Sequence, residues 1–395
     1  GLRELINAYE GTLLVITHSR YLLNHCFNKI IHLENADLQE FDGSYTEYRC
    51  SILKEKLKLK LQNVEEQEEI ARTQEMVDIL RRRATLMVNP VIGSAVNAKQ
   101  SQLDRLIARQ IKPPFIEVKE PEIVLPEVEF EVEMTEEGEV IETEPKTILK
   151  IEDYQVAFEK DLLENVNFEV KQGEKVAIVG ANGTGKTTLI SDILKNENPA
   201  IHIDPDTKYA CLSQLQGENM DEDKTVYEVM LDLGFGNEEK MAAYLDKYCL
   251  ESDIITQKIG QLSGGEQNML QIALIANTDA EFLILDEPTS HLDIYAQIAL
   301  EKAVAEYKGT VLMVSHDFYL VANSADYVLL VEENTVRRMR TRNFRKMVYT
   351  KYFDQKYLEI DKKKQELETS ITHAFKKNDY VAVDKLCNQL EELSK

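Results

Sequence analysis

Residues 176–190 read VAIVGANGTGKTTLI. An apolar run meets a glycine-rich loop, and the loop opens into Lys-Thr-Thr. Gly180, Asn182, Gly183, Thr184, Gly185, Lys186, Thr187 and Thr188 fit the phosphate-loop pattern in full. Without Cβ atoms, such a loop lets backbone N–H groups converge on phosphate oxygens, and the following helix N-terminus adds its partial positive charge. Lys186 is placed for the β- and γ-phosphates of a nucleotide, and Thr187 for a Mg²⁺ ion. Residues 281–288, EFLILDEP, put two carboxylates at the end of an apolar strand. Asp286 suits the metal, and Glu287 suits the water that attacks a phosphate. Residues 262–267, LSGGEQ, place Ser263, Gly264 and Gly265 ahead of a helix. That is an anion-binding geometry or, equally, a capping box closed by Ser263 and Glu266.

Strands and helices alternate from Thr147 to about Asn334, the pattern of an α/β domain. An internal repeat precedes and ends it. Residues 8–22 read AYEGTLLVITHSRYL, and residues 306–320 read EYKGTVLMVSHDFYL. Tyr9, Gly11, Thr12, His18, Tyr21 and Leu22 match Tyr307, Gly309, Thr310, His316, Tyr319 and Leu320 at one constant offset. Each copy reads as a helix end, a glycine, a buried apolar strand and a polar turn carrying His. Residues 1–48 are thus expected to be the C-terminal end of a first copy of the domain at 147–334.

Residues 49–114 read as a helical hairpin. Ser51 to about Thr85 holds no Pro or Gly, Asn89-Pro90 and Gly93 break the run, and a second helix spans Ala95 to Gln110. Residues 115–146 alternate Glu with apolar residues, as an edge strand, a β-ribbon or an acidic connector would. Residues 335–395 are expected to be a basic segment followed by a coiled-coil hairpin. Val383, Leu386, Leu390 and Leu393 form its seam, with Asn378-Asp379 at the turn.

The 395 residues carry a net charge of −24, with five scattered cysteines and no CxxC pair. A disulfide framework and a zinc site are not expected, and a reducing cytoplasm fits. No apolar run approaches the ~18 residues of a membrane span. The charge is uneven: residues 54–112 hold 12 basic and 8 acidic side chains, residues 146–334 hold 14 and 34, and residues 335–395 hold 15 and 9. Only the helical segments are basic, and the local sign governs the choice of partner.

The order GxxGxGKT, Gln, LSGGE, LDEPTSHLD, SHD resembles the ABC ATPase superfamily, over about residues 147–334 and again at 1–48. The resemblance implies a P-loop cassette that binds and hydrolyses ATP with Mg²⁺. By it, Gln214 is the Q-loop residue sensing metal and γ-phosphate, His316 the switch histidine, and Asp293 the D-loop aspartate. Phe158 lies where the family stacks an aromatic on adenine, with Tyr154 the rival. The run EQNML after the signature lacks the basic residue that the family often has.

Duplicated cassettes, no membrane span and a basic hairpin between them resemble the ABC-F group. So do FDGSYTEY at Phe41–Tyr48 and a C-terminal coiled-coil hairpin. The resemblance implies action on the ribosome, as a translation factor or in antibiotic protection, with rRNA or tRNA met by the hairpin. Arg81, Arg82, Arg83, Lys99, Arg105 and Arg109 are then the RNA-contact candidates. Two cassettes would sandwich ATP, each phosphate loop facing the other's signature. This chain holds one whole cassette, so little hydrolysis is expected unless two chains pair. An ATP-binding subunit of a membrane transporter and an ATP-regulated nucleic-acid-binding protein are the alternatives.

Overall fold

The computed structural model describes residues 2–34, 37–86, 90–109, 120–128, 145–157, 161–212, 220–352, 363–364, 366–367, 369–371, 373–374, 377 and 379–394. The chain divides into two units: residues 1–13, 22–118 and 355–395 form one, and residues 14–21 and 119–354 the other.

The first unit is helical with one small sheet. Strands β1 (Lys29–Glu34) and β2 (Asp37–Asp42) pair antiparallel, Lys29 opposite Asp42. Gly43 then turns at φ +142°, and Ser44 starts a helix over Tyr45–Leu86. The Ser44 N–H and hydroxyl both donate to the Glu47 carboxylate, at 2.8 and 3.0 Å, one half of a capping box. A second helix, Pro90–Arg109, runs back along the first, and Val77 and Leu103 are buried between them. The break expected at Asn89-Pro90 and Gly93 is therefore narrower than read. Proline is well suited to a first helical position, because its missing N–H has no intrahelical partner there. A single glycine inside a helix costs only about 1 kcal/mol.

Arg81, Arg82, Arg83, Arg105 and Arg109 are exposed, and Lys99 is half-buried. Arg81 donates to Gln100 of the facing helix at 2.9 Å. The C-terminal helix Tyr380–Ser394 is capped by Asp379, whose carboxylate accepts from the Ala382 N–H. It buries Val383, Cys387 and Leu390 against Ile371, Ala374 and Cys50 of the long helix. The expected seam is thus rotated toward Cys387, because the hairpin packs on the base of the long helix as well as on itself.

The second unit holds two sheets. Strands β3 (Thr147–Ala157), β4 (Asp161–Lys171) and β6 (Ile201–Ile203) form an antiparallel sheet in the order β4-β3-β6. The larger sheet contains β5 (Lys175–Gly180), β7 (Tyr209–Leu212), β8 (Phe282–Asp286), β9 (Thr310–Val314), β10 (Tyr327–Glu332) and β11 (Thr335–Arg340), in the order β11-β10-β5-β9-β8-β7. All its pairings are parallel except β10–β11. Its central strands read as unbroken apolar runs because both faces are covered. Ile178, Ile284 and Leu312 enter the core beneath the small sheet, while Ala177, Leu283 and Val311 enter the core beneath the helices.

Two boundaries differ from the sequence reading. The sheet does not end at residue 334: β11 continues it, and helix Thr341–Tyr352 buries Phe344 against the same core. Within the acidic stretch, residues 120–128 form no strand. They are tied down instead, with the Glu122 N–H donating to Lys247 O at 2.6 Å and Val128 buried. Residues 14–21 also belong to this unit. Arg20 pairs with Glu301 at 2.5 Å and lies over the Tyr319 ring at 4.8 Å.

The first repeat copy departs from expectation. Leu13, Leu14, Val15 and Ile16 are exposed and form no strand. Its counterpart β9 is buried because β5 and β8 flank it on both sides, and no strand pairs with residues 12–16 among the described residues.

A phosphate loop, a carboxylate pair and a signature turn

Strand β5 delivers the phosphate loop from the middle of the large sheet. Three positions there need glycine. Gly183 and Gly185 have φ +78° and +88°, and a Cβ on Gly180 would meet Val331 Cβ at 2.8 Å. Helix Lys186–Lys195 starts from Gly185 with no side-chain cap, so its first N–H groups face the loop unclaimed by a side chain. Lys186 is buried, and its ammonium donates to Gly180 O and Ala181 O at 2.9 and 2.7 Å. Burial lowers its pKa, and nearby Glu287 and Asp286 oppose that. The Thr184 hydroxyl donates to Ala181 O at 2.9 Å. Asn182 is exposed, and Thr188 is half-buried in the first turn of the helix.

The carboxylate pair sits at the end of β8, two strands away in the same sheet. Burial, and then the charge of Glu287, push the Asp286 carboxyl up to about 6, against a hydrogen bond from Thr187. Its Oδ1 is buried with no hydrogen-bond partner. Glu287 breaks from the strand in the left-handed region at φ +50°, which turns the chain off the end of β8. Its Oε2 accepts from the His316 backbone N–H at 3.2 Å, while Oε1 is buried with no hydrogen-bond partner. Burial raises its pKa. The His316 Nε2 lies 3.6 Å from that Oε1. Burial lowers the imidazole pKa, with Lys186 adding to the effect, and both favour the neutral ring.

A hard cation fits here. The orphaned Asp286 Oδ1 and the Thr187 hydroxyl are oxygen donors of the kind that Mg²⁺ takes beside phosphate oxygens and water.

The signature residues gather around a second turn. Ser263 Oγ accepts from the Glu266 N–H at 3.3 Å, and Glu266 Oε2 accepts from the Ser263 N–H at 2.7 Å. The capping box is therefore real, and it starts helix Gly264–Ala276. Cβ atoms on Gly264 and Gly265 would meet the His291 ring at 3.2 Å and the His291 carbonyl at 2.9 Å. Asp293 caps the next helix, accepting from the Ala296 N–H at 2.8 Å.

Sequence reasoning missed Asn268. Its buried amide donates to Pro288 O at 3.1 Å and Ser290 O at 2.7 Å, clamping the turn that follows Glu287. The available signal was an amide at a buried position of a helix that continues as QIALIA. Tyr154 is not an adenine platform. It is fully buried in the core, its hydroxyl donating to Asp192 at 2.8 Å. Phe158 and Gln214 lie outside the described residues.

Parallel strands ending in a phosphate loop, an acidic pair and a histidine, with a glycine-led helix beside them, define an ATP-binding cassette. Residues 163–290 match the ABC transporter family model. The chain carries an ABC ATPase cassette, a domain whose reaction is ATP hydrolysis. Two of the curated relatives it matches are named ABC transporter F family members. It is 28% identical over 388 residues to YdiF of Bacillus subtilis, covering 96% of this chain and 56% of that protein. It is 30% identical over 342 residues to ABC transporter F family member 5 of Arabidopsis thaliana, covering 84% and 46%. It is 27% identical over 355 residues to the ribosome protection protein VmlR of Bacillus subtilis, covering 85% and 62%. The chain spans about half the length of the curated relatives it matches. Among the described residues no helix is long and apolar enough to cross a membrane.

Proposed function

We propose that this chain is the cassette-and-hairpin half of an ABC-F ATPase that acts on the ribosome in the cytoplasm. ATP closes a clamp of two cassettes, and hydrolysis reopens it. One observation carries the reading: an arginine-bearing helical hairpin is joined to a cassette with no membrane-crossing helix among its described residues. The similarity to VmlR over most of the chain supports the ribosome as partner. The register of residues 8–42 on 306–340 supports a second cassette.

In this reading the loop N–H groups from Asn182 to Thr187 bind the phosphate chain. Lys186 exchanges its two carbonyl acceptors for phosphate oxygens. Glu287 holds and deprotonates the attacking water. Its Oε2 is occupied by the His316 N–H, so Oε1 is the atom free to take the proton. His316, half-exposed beside Glu287, hydrogen-bonds the terminal phosphate. Mg²⁺, held by Thr187 and Asp286, supplies charge neutralisation of the phosphates when bound. Ser263, Gly264 and Gly265 serve the nucleotide of the partner cassette.

The test is co-sedimentation of the complete protein carrying Glu287→Gln with ribosomes in ATP. It should bind nucleotide, turn over about 100-fold more slowly, and pellet with ribosomes. Recovery in a membrane fraction, with none on ribosomes, would overturn the reading.

A further inference from the structure

Every basic residue from 146 to 334 is lysine, and that stretch holds no arginine. Five arginines then fall within nine residues: Arg337, Arg338, Arg340, Arg342 and Arg345. Residues 335–352 hold seven basic side chains and no acidic one, whereas residues 353–395 hold eight basic and nine acidic. The basic charge of the C-terminal region thus resides on edge strand β11 and the helix after it, and not on the coiled-coil hairpin.

Only Arg338 is spent on the fold. It forks onto Glu174 at 2.9 and 3.0 Å, donates to Glu169 O, and stacks on Tyr327 at 4.2 Å. Arg337, Arg340 and Arg342 are exposed and Arg345 is half-exposed. Among the described residues none of these four forms an ion pair, although they border a domain with 34 carboxylates. Arg340 shares a cleft with Glu174 and Asp326, but those are taken by Arg338 and by the Lys175 N–H.

Local stability does not account for the four. A cation in a first helical turn opposes the helix dipole, yet helix Thr341–Tyr352 has Arg342 and no acidic residue in its first turn. Edge protection needs one or two charges of either sign, and lysine is its usual form. Arginine's planar fork is the group that grips phosphate oxygens two at a time. Arg337 and Arg340 are three residues apart on the edge strand, so they leave its opposite faces, and Arg342 and Arg345 are one turn apart on the helix. Arginines spread over both faces of the edge and the adjoining helix suit an extended chain of phosphates better than a single one.

We propose that Arg337, Arg340, Arg342 and Arg345 form a second RNA-binding surface of the protein, gripping the phosphodiester backbone at the edge of the cassette. The choice of RNA over DNA rests on the ribosomal reading; the phosphate chemistry does not.

The experiment titrates the full chain, and its Arg337→Gln/Arg340→Gln/Arg342→Gln/Arg345→Gln variant, with a fluorescent single-stranded RNA over a range of salt. The DNA of the same sequence is run in parallel. The variant should bind RNA at least ~10-fold more weakly, and its slope of log affinity against log salt should fall by about 3, since each lost phosphate contact on a single strand removes roughly 0.7. Binding of a fluorescent ATP analogue should be unchanged, and a quadruple Lys variant should keep the salt slope. An unchanged affinity and slope, or no RNA binding by the parent chain, overturns the proposal. DNA bound as tightly as RNA overturns the RNA assignment. If the parent binds RNA through this edge but no ribosome, the proposal stands and the ribosomal reading falls.

Discussion

Residues 8–22 repeat residues 306–320 at one offset, the offset carries on to residues 42 and 340, and the fold treats the two stretches differently. Strands β1 and β2 stand in register with β10 and β11, residue for residue at one offset, and helix Arg20–His25 stands with Phe318–Ser324. These are local structures, a hairpin and a short helix, and they form in both copies. The segment between the glycine and the histidine is not local. In the second copy it is β9, hydrogen-bonded to β5 and β8 and buried at every position. In the first copy Ile16 is 96% exposed where its counterpart Val314 is 1% exposed. Parallel pairing needs partners that arrive from far along the chain. The same separation applies to chemistry. His316 acquires its carboxylate neighbour because β8 places Glu287 beside the end of β9.

The sharpest way to break this comparison is to cut the same side chain from both copies. Leu14 and Leu312 are equivalent, one 79% exposed and the other fully buried between the sheets. Leu312→Ala should cost the cassette about 2–5 kcal/mol, whereas Leu14→Ala should stay within roughly 0.5 kcal/mol. Urea unfolding of the two variants measures both. Equal losses would mean that the first segment is buried after all.

The carboxylates give the next largest effect, with opposite sign. Asp286 is pushed up to about 6 in the folded cassette and has its ordinary lower value when unfolded. A raised carboxyl pKa means that the native state takes up a proton first, so stability rises as pH falls through 6. At neutral pH the buried anion therefore destabilises the nucleotide-free fold, by roughly 2–3 kcal/mol. Asp286→Asn should raise the melting temperature in EDTA at pH 7.5, and the gain should shrink toward pH 5. It should also abolish Mg²⁺-dependent nucleotide affinity. A variant that melts no higher than the parent would show that the anion carries no such penalty.

Much of this site could be read in advance because its residues are contiguous. Gly180 to Thr188 is one loop and helix start, and Asp286-Glu287 is one strand end, so type and spacing were enough. What was hidden depends on residues that meet only in the fold. Asn268 carries no local motif, and its role shows only where its amide meets the carbonyls of Pro288 and Ser290. Tyr154 had the composition of a stacking platform, but β4 and Asp192 enclose it. The end of the cassette was misplaced at residue 334 because arginines mask the alternation of β11, in which Val336 and Met339 pack toward opposite cores.

The smallest expected effect tests the one contact that both copies share. Each copy folds a tyrosine back over the glycine two residues on. A Cβ on Gly309 would run into the Tyr307 ring, and one on Gly11 would meet the Tyr9 ring at 2.7 Å. The steric demand is similar, but the freedom to yield is not. Tyr307 is buried, and its hydroxyl donates to Ala280 O at 2.8 Å, so moving the ring breaks a buried hydrogen bond. Tyr9 is 57% exposed and can swing into solvent. Gly309→Ala should therefore cost about 1–3 kcal/mol, a fall of several degrees in the cassette's melting temperature, while Gly11→Ala should leave it unchanged. If Tyr307→Phe alone reproduces most of the Gly309→Ala loss, the hydrogen bond to Ala280 sets the cost. If it does not, the crowded ring itself does, and the first copy escapes because Tyr9 is more than half exposed.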